Sequence, residues 1–103
     1  FAVNVLADNQ LDLAGRFGSV HGFEVDKFKQ FGIKTRDGSK IGAPLILGCY
    51  ASIECRVKTA MWDVASNRAI YLAEPIAYTV DEGLRPMVWL SHRFFKVGAQ
   101  CSL

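Results

Sequence analysis

The chain has 103 residues, half of them hydrophobic, which is enough for one compact domain and too few for two. Its 12 basic and 10 acidic residues are mixed along the sequence and give a formal net charge of +2, so no basic patch argues for nucleic acid or a membrane surface as a partner. No apolar run reaches the roughly 18 residues that a membrane-spanning helix needs.

The chain opens on a predicted strand over Phe1–Leu6, where Phe1, Val3 and Val5 alternate with Ala2 and Asn4. Because no methionine or polar leader precedes this strand, we expect residues 1–103 to be the C-terminal portion of a domain that is incomplete at its N-terminus. The first strand is then expected to lack a neighbour, and such an unpaired edge favours dimerisation, strand exchange or aggregation.

Two short helices are predicted next. The first is expected to begin at Asp8 as N-cap and to end at Gly18, with a stripe at spacings of three and four made of Gln10, Leu13, Ala14 and Phe17. A second stripe of Val25, Phe28 and Phe31 ends at Gly32. A turn is predicted over residues 36–39 and an extended segment over residues 42–44.

The clearest pattern predicts a long strand from Cys49 to Met61 with one buried and one polar face. Its polar face is expected to carry Tyr50, Ser52, Glu54, Arg56 and Lys58. A loop from Asp63 to Arg68 leads to a second strand that ends at Val80, and the two strands should pair as an antiparallel hairpin. Met87–Leu90 is predicted to form another short strand.

Three cysteines, Cys49, Cys55 and Cys101, leave one thiol unpaired in any disulfide scheme. Cys49 and Cys55 lie six positions apart on one predicted strand, about 20 Å at 3.3 Å per residue, so they cannot bridge each other. Neither His21 nor His92 stands in a metal-binding spacing. Reduced, buried cysteines in a cytoplasmic protein are the expected arrangement.

Long antiparallel strands with short helices near one end predict a mainly β fold, a barrel or a strongly curved sheet, because open sheets of this length would leave exposed edges. Six segments also occur in a recognisable order: F-A-V-N-V-L-A-x-x-Q, R-F-G, D-K-F, G-A-P-L, S-I-E-C-R-V and A-I-Y-L-A-E-P. In order and spacing the chain resembles the flavin reductase-like family, whose fold is a split β-barrel with short helices that binds FMN. Residues 92–98 resemble the closing segment of its flavoredoxin-like branch.

The resemblance implies a flavin-binding oxidoreductase that transfers hydride from NADH or NADPH to FMN, with FAD as the other candidate flavin, and that acts as a cytoplasmic homodimer. The expected partner is a monooxygenase or an electron-transfer protein. Two alternatives stay open: an FMN electron carrier without a nicotinamide site, and a truncated interaction domain without catalysis. Because the redox chemistry belongs to the cofactor, no catalytic acid or base is expected.

Cofactor contacts are implied for five residues. Asn4, Val5 and Leu6 match the strand that runs beside the flavin ring, although a plain barrel strand would look the same. Gln10 could reach the ring edge or serve as a solvated or capping residue. Lys27 matches a family position that stands near the cofactor, next to Phe28, which at helical spacing is expected in the core.

Nucleotide contacts are implied for Arg68, His92 and Arg93. The alternatives are exposed surface arginines at positions 68 and 93 and a histidine with its hydrogen bonds satisfied at position 92. Many reductases of this family have a histidine where Arg68 stands, so the arginine puts ordinary pyridine-nucleotide chemistry in doubt. Glu54 and Arg56, on the predicted polar face of a strand, are expected to be solvated or paired across strands.

Overall fold

The computed structural model describes residues 1–22 and 24–102. The strands are β1 (Ala2–Val5), β2 (Thr35–Asp37), β3 (Pro44–Ile46), β4 (Ala51–Asp63), β5 (Arg68–Val80), β6 (Met87–Leu90) and β7 (Arg93–Lys96); the helices are α1 (Leu11–Ser19) and α2 (Lys27–Gln30). The predicted mainly β architecture with short helices is therefore confirmed.

The strands of the described chain form three antiparallel sheets, in the orders β1-β4-β5, β2-β3 and β6-β7. The predicted long hairpin is confirmed as β4–β5, which closes at the pair Asp63 and Arg68. Each of its strands runs slightly beyond the predicted bounds towards the connecting loop, because the loop needs only residues 64–67. A bridge between Ala7 and Pro86, and a hydrogen bond from the Met87 amide to the Leu6 carbonyl (3.0 Å), join β6 to the end of β1.

The predicted division of β4 into a buried and a polar face is wrong. The register between β4 and β5 shifts between Glu54 and Cys55, where Cys55 lies opposite Pro75, a residue that has no amide hydrogen to give to the ladder. On the predicted polar face, Ser52 and Glu54 are already buried before this shift, and Cys55 is buried after it. From Arg56 onward every residue of β4 is exposed, whichever face it belongs to.

The helix boundaries correct the predicted start and end of α1 and confirm the predicted end of the second helix. Asp8 is not the N-cap of α1: that position belongs to Gln10, and the Asp8 amide instead donates to the Arg85 carbonyl at 2.9 Å. The helix also continues past Gly18 to Ser19. The end of the second helix near Gly32 is confirmed, since Gly32 follows α2 with a φ of +60°, the left-handed conformation that glycine adopts without steric cost.

The β6–β7 hairpin was only half predicted, because its second strand, β7, was not expected. Its two-residue turn is Ser91-His92, with φ angles of 51° and 62°. Hairpin turns of this kind usually carry Asn-Gly, so the sequence lacked the usual signal. The ring of His92 stands edge-on to that of Trp89, with ring centroids 6.1 Å apart. The rings of Trp89 and Phe94 also pack together, with centroids 4.7 Å apart.

Small side chains make up much of the buried core, which among the described residues contains Ala7, Ala14, Leu45, Ala51 and Cys55. The three thiols are free, but Cys101 is exposed and Cys49 only half-buried, so the prediction that all three are buried was wrong. Across residues 1–22 and 24–102, the helices are too short and too polar to cross a membrane.

Candidate functional site

A cleft of about 290 Å³ opens where the end of β1 meets β3 and the two helices. Its walls are formed by Asn4, Leu6, Phe17, Phe28 and Ile46. Two of the predicted cofactor residues, Asn4 and Leu6, are therefore brought together. One edge of the cleft is a polar amide, and the remaining walls are apolar or aromatic.

A second cavity of about 480 Å³ lies beside this cleft and shares two of its walls, Phe17 and Phe28. Those rings meet edge to face with centroids 5.9 Å apart, a favourable aromatic geometry. The rest of the cavity is lined by Gly22, Glu24, Val25, Asp26 and Lys27. Asp26 caps α2 by accepting from the amides of Phe28 and Lys29, which fixes the direction from which Phe28 enters the cleft.

The side-chain oxygen of Asn4 is used in hydrogen bonds that stabilise the fold. Its Oδ1 accepts from the Ile46 amide at 3.1 Å and from Ser52 Oγ at 3.0 Å. Two hydrogen bonds occupy both lone pairs of an amide oxygen. A ligand contact of this side chain is therefore left to its Nδ2 group.

Gln10 joins three segments of the chain. Its Oε1 accepts from the Ala7 amide at 2.8 Å, while its Nε2 donates to the Leu47 carbonyl at 3.2 Å. Burial raises the pKa of the Cys49 thiol, and the Gln10 side chain lowers it by less. This arrangement links the end of β1 to the segment that follows β3.

Lys27 lies on the second cavity with its ammonium group engaged. Its Nζ donates to the Phe17 carbonyl at 2.6 Å and stands 5.7 Å from the centre of the Phe17 ring. A cation near the last turn of α1 interacts favourably with the carbonyl end of the helix dipole. Lys27 thus fixes the backbone of a residue that forms a wall of the cleft.

The other predicted site residues lie elsewhere. Val5 pairs with Ala51 at the end of β1. Arg68 begins β5 opposite Asp63, at the loop end of the long hairpin, while His92 occupies the turn before Arg93, the first residue of β7. In the described structure none of these residues lines either cavity.

Sequence reasoning missed Ile46 and Glu54. Ile46 ends a three-residue strand of which only the start was predicted to be extended, and Glu54 was expected to be solvated or paired across strands. Instead, Glu54 is 3% exposed and accepts from the amides of Lys40 and Ile41 and from Ser39 Oγ, at 2.7, 3.2 and 2.8 Å. The Lys40 amide is the leading cause that holds the pKa of Glu54 below its ordinary value of 4.5. The stability contributed by the charged form is therefore complete above that value and lost as the pH falls through the lower pKa of the folded state.

The cleft suits a planar heteroaromatic ring with a polar edge. Aromatic and aliphatic walls pack against the faces of such a ring, and an amide group can hydrogen-bond its edge. Of the residues described, the cleft wall contains no carboxylate, imidazole or thiol that could act as an acid, base or nucleophile. The arrangement can bind and orient a ring that brings its own chemistry.

Comparison with known proteins identifies the family to which this domain is similar. The family profile described as "Flavin reductase like domain" matches residues 1–98. The flavin-dependent monooxygenase reductase subunit HsaB of Mycobacterium tuberculosis is 47% identical over 57 residues, which are 55% of this chain and 27% of HsaB.

Solved structures share the fold. The NADH:FAD oxidoreductase SgcE6 of Streptomyces globisporus is 30% identical with a TM-score of 0.78, and the match covers 95% of this chain and 56% of that one. Flavoredoxin of Desulfovibrio vulgaris, at 18% identity, has a TM-score of 0.81 over all of this chain and 61% of its own. The chain thus spans little more than half the length of these structures. The resemblance seen in the sequence is confirmed, and the chain belongs to the flavin reductase-like domain family.

Proposed function

We propose that this chain binds a flavin and takes part in the reduction of that flavin by a nicotinamide nucleotide. The observation that carries the proposal is the cleft of Asn4, Leu6, Phe17, Phe28 and Ile46 in a chain whose family match runs over residues 1–98. When bound, the flavin supplies the two-electron redox chemistry. The protein supplies walls that orient the ring and an edge amide that can hydrogen-bond it.

The similar proteins favour a reductase over an electron carrier. HsaB is named as a reductase subunit and SgcE6 as an NADH:FAD oxidoreductase, a protein also solved with fragments of NAD and FAD. Flavoredoxin shares only the fold at its level of identity. We therefore propose NADH or NADPH as donor, FMN or FAD as the flavin, and a monooxygenase as the protein that consumes the reduced flavin. Three free thiols support a reducing, cytoplasmic location.

The test is an anaerobic visible spectrum of the purified protein with FMN or FAD, followed by NADH and then NADPH. We expect a bound-flavin band that one nucleotide bleaches. A band that persists until dithionite is added would support the carrier, and a protein that takes up neither flavin would overturn the proposal. As a second readout, flavin should raise the melting temperature of a protein that binds it.

We also propose that the chain forms a homodimer through the outer half of the β4–β5 hairpin. This surface, the hairpin patch, contains apolar side chains that are between 59% and 66% exposed: Met61, Trp62, Ile70, Tyr71 and Leu72. A two-stranded ribbon without cover is marginal in water, and clustered apolar surface marks interaction sites. A second copy would cover the same patch on both subunits, as twofold symmetry requires.

Introducing charges on both faces of the hairpin patch is expected to separate the subunits. We expect the protein to sediment as a dimer and the double variant Trp62→Lys/Leu72→Lys to raise the dimer dissociation constant by about 100-fold or more, since buried aromatic anchors dominate interface energies. Val64→Lys is the matched control, because Val64 is apolar and 83% exposed in the loop beyond the patch. Sedimentation velocity measures all three proteins, and a monomeric parent protein would contradict the proposal.

A further inference from the structure

The buried carboxylate of Glu54 is held by a single loop. That loop, residues 38–43, connects β2 to β3, and its Ser39, Lys40 and Ile41 donate the three hydrogen bonds to Glu54. The donors are a neutral hydroxyl and two backbone amides. A carboxylate that accepts such bonds is well satisfied without a cation.

The β2–β3 hairpin depends on side chains for its position. It is a separate two-stranded sheet in the described structure, so ladder hydrogen bonds do not tie it to β1, β4 or β5. Polar side chains from those three strands reach it instead: Glu54 binds its loop, Asn4 binds the Ile46 amide, and Thr79 Oγ1 accepts from Arg36 at 3.3 Å. Leu45 of β3, which is 1% exposed, adds apolar packing to these hydrogen bonds. A short hairpin is marginal alone, so these contacts decide where it lies.

The same hairpin supplies a wall of the cleft. Ile46, the last residue of β3, lines the cleft beside Asn4 and Leu6. Only Leu45 and Pro44 separate Ile46 from the loop that Glu54 holds. A shift of that loop would therefore move β3 and the Ile46 wall with it.

We propose that Glu54 is a positioning residue for the flavin cleft, acting through the loop of residues 38–43 and β3 on the Ile46 wall. The proposal deepens the proposed function and rests on it. Glu54 does not line the cleft itself, so its effect on the flavin is indirect.

The test compares flavin affinity in three variants by fluorescence titration with FMN and FAD, at a temperature where circular dichroism shows each variant folded. Glu54→Ala is expected to weaken flavin binding by about tenfold, since it leaves buried donors unpaired and no longer fixes the position of the Ile46 wall. Glu54→Gln keeps an oxygen for the two amides and an NH₂ group that can donate to Ser39 Oγ, so it should restore most of the affinity. Glu74→Ala is the matched control, because Glu74 is a half-exposed residue of β5 paired with Lys58 at 3.1 Å.

A purely structural Glu54 would lower the melting temperature and leave the flavin affinity of the folded variant unchanged, and that result would overturn the proposal. If Glu54→Ala does not fold, Ser39→Ala takes its place, with an expected loss of about threefold for one hydrogen bond; unchanged affinity would again count against it.

Amide hydrogen exchange without flavin separates this proposal from the proposed function. In Glu54→Ala, or in Ser39→Ala if needed, we expect faster exchange at Lys40, Ile41 and also Ile46. If exchange is faster at all three amides but the protein binds no flavin, the proposed function is wrong, and the coupling between the loop and the Ile46 wall still holds. Unchanged exchange at Ile46 would overturn the coupling itself.

Discussion

Replacing Asn4 with leucine is expected to lower the free energy of unfolding by about 2–3 kcal/mol, because two hydrogen-bond donors then lose their acceptor. The Ile46 amide and Ser52 Oγ both donate to Asn4 Oδ1, and Ser52 is 5% exposed, so water cannot readily replace the lost oxygen. The loss can be measured by urea unfolding followed by circular dichroism. Flavin affinity should fall as well, by about tenfold, because the same change frees the Ile46 wall.

Two further variants separate the effect of losing the hydrogen-bond acceptor from the effect of changing the side-chain volume. Asn4→Asp keeps an oxygen at the Oδ1 position and should lose less stability than Asn4→Leu. Asn9→Leu makes the identical substitution at an exposed position of the following turn and should change the unfolding free energy by less than about 0.5 kcal/mol. Equal stability of Asn4→Leu and the parent protein would show that these two hydrogen bonds contribute nothing net.

The strands that the sequence predicted well are those whose signal is local. Alternating side chains and a short polar loop were sufficient for the β4–β5 hairpin, since period and turn are both read within a few residues. The first strand and the α1 stripe were predicted for the same reason. Gly32 marked the end of α2, because its left-handed conformation is a local property of the backbone.

Predictions failed where a distant partner decides the structure. Glu54 looks like a solvated charge on a polar face, yet its three donors lie 13 to 15 residues earlier in the chain. Ser52, two residues earlier on the same face of β4, is buried as well, and periodicity alone contains no information about which segments cover a strand face. Asp8 was assigned as a cap on residue type, but its amide pairs with Arg85, a contact that no local pattern indicates.

In the candidate site, too, some residues were predicted from the sequence, whereas others are placed by contacts that are distant along the chain. Asn4 and Leu6 were expected at the cofactor from the family resemblance, and the structure places both on the cleft. The binding roles of Asn4, Val5, Leu6, Gln10, Lys27, Arg68, His92 and Arg93 remain predictions. The wall residue beside them, Ile46, is held there by a long-range side-chain hydrogen bond that the sequence does not reveal.

Adding one methyl group at Gly38 is expected to disrupt the loop that Glu54 holds. A Cβ atom at this position would lie 2.6 Å from Glu54 Oε1 and 2.8 Å from the Ile41 carbonyl oxygen, both closer than real Cβ contacts allow. Because the Ile41 oxygen belongs to the backbone, the loop itself must shift. We expect Gly38→Ala to lower the free energy of unfolding by about 2 kcal/mol, within the range for overpacked sites.

Gly42→Ala is the matched control in the same loop, since an added Cβ there meets nothing within 4 Å. It should be neutral or stabilising by up to about 1 kcal/mol, because alanine restricts the unfolded chain more than glycine does. Urea unfolding of the two variants tests the difference, and equal effects would mean that the loop does not pack against Glu54 as described. Combining Gly38→Ala with Glu54→Ala should cost less than the sum of the single changes, because the second substitution removes the nearest of the atoms that the new methyl group meets. The remaining penalty would then report the contacts of the methyl group with Ile41.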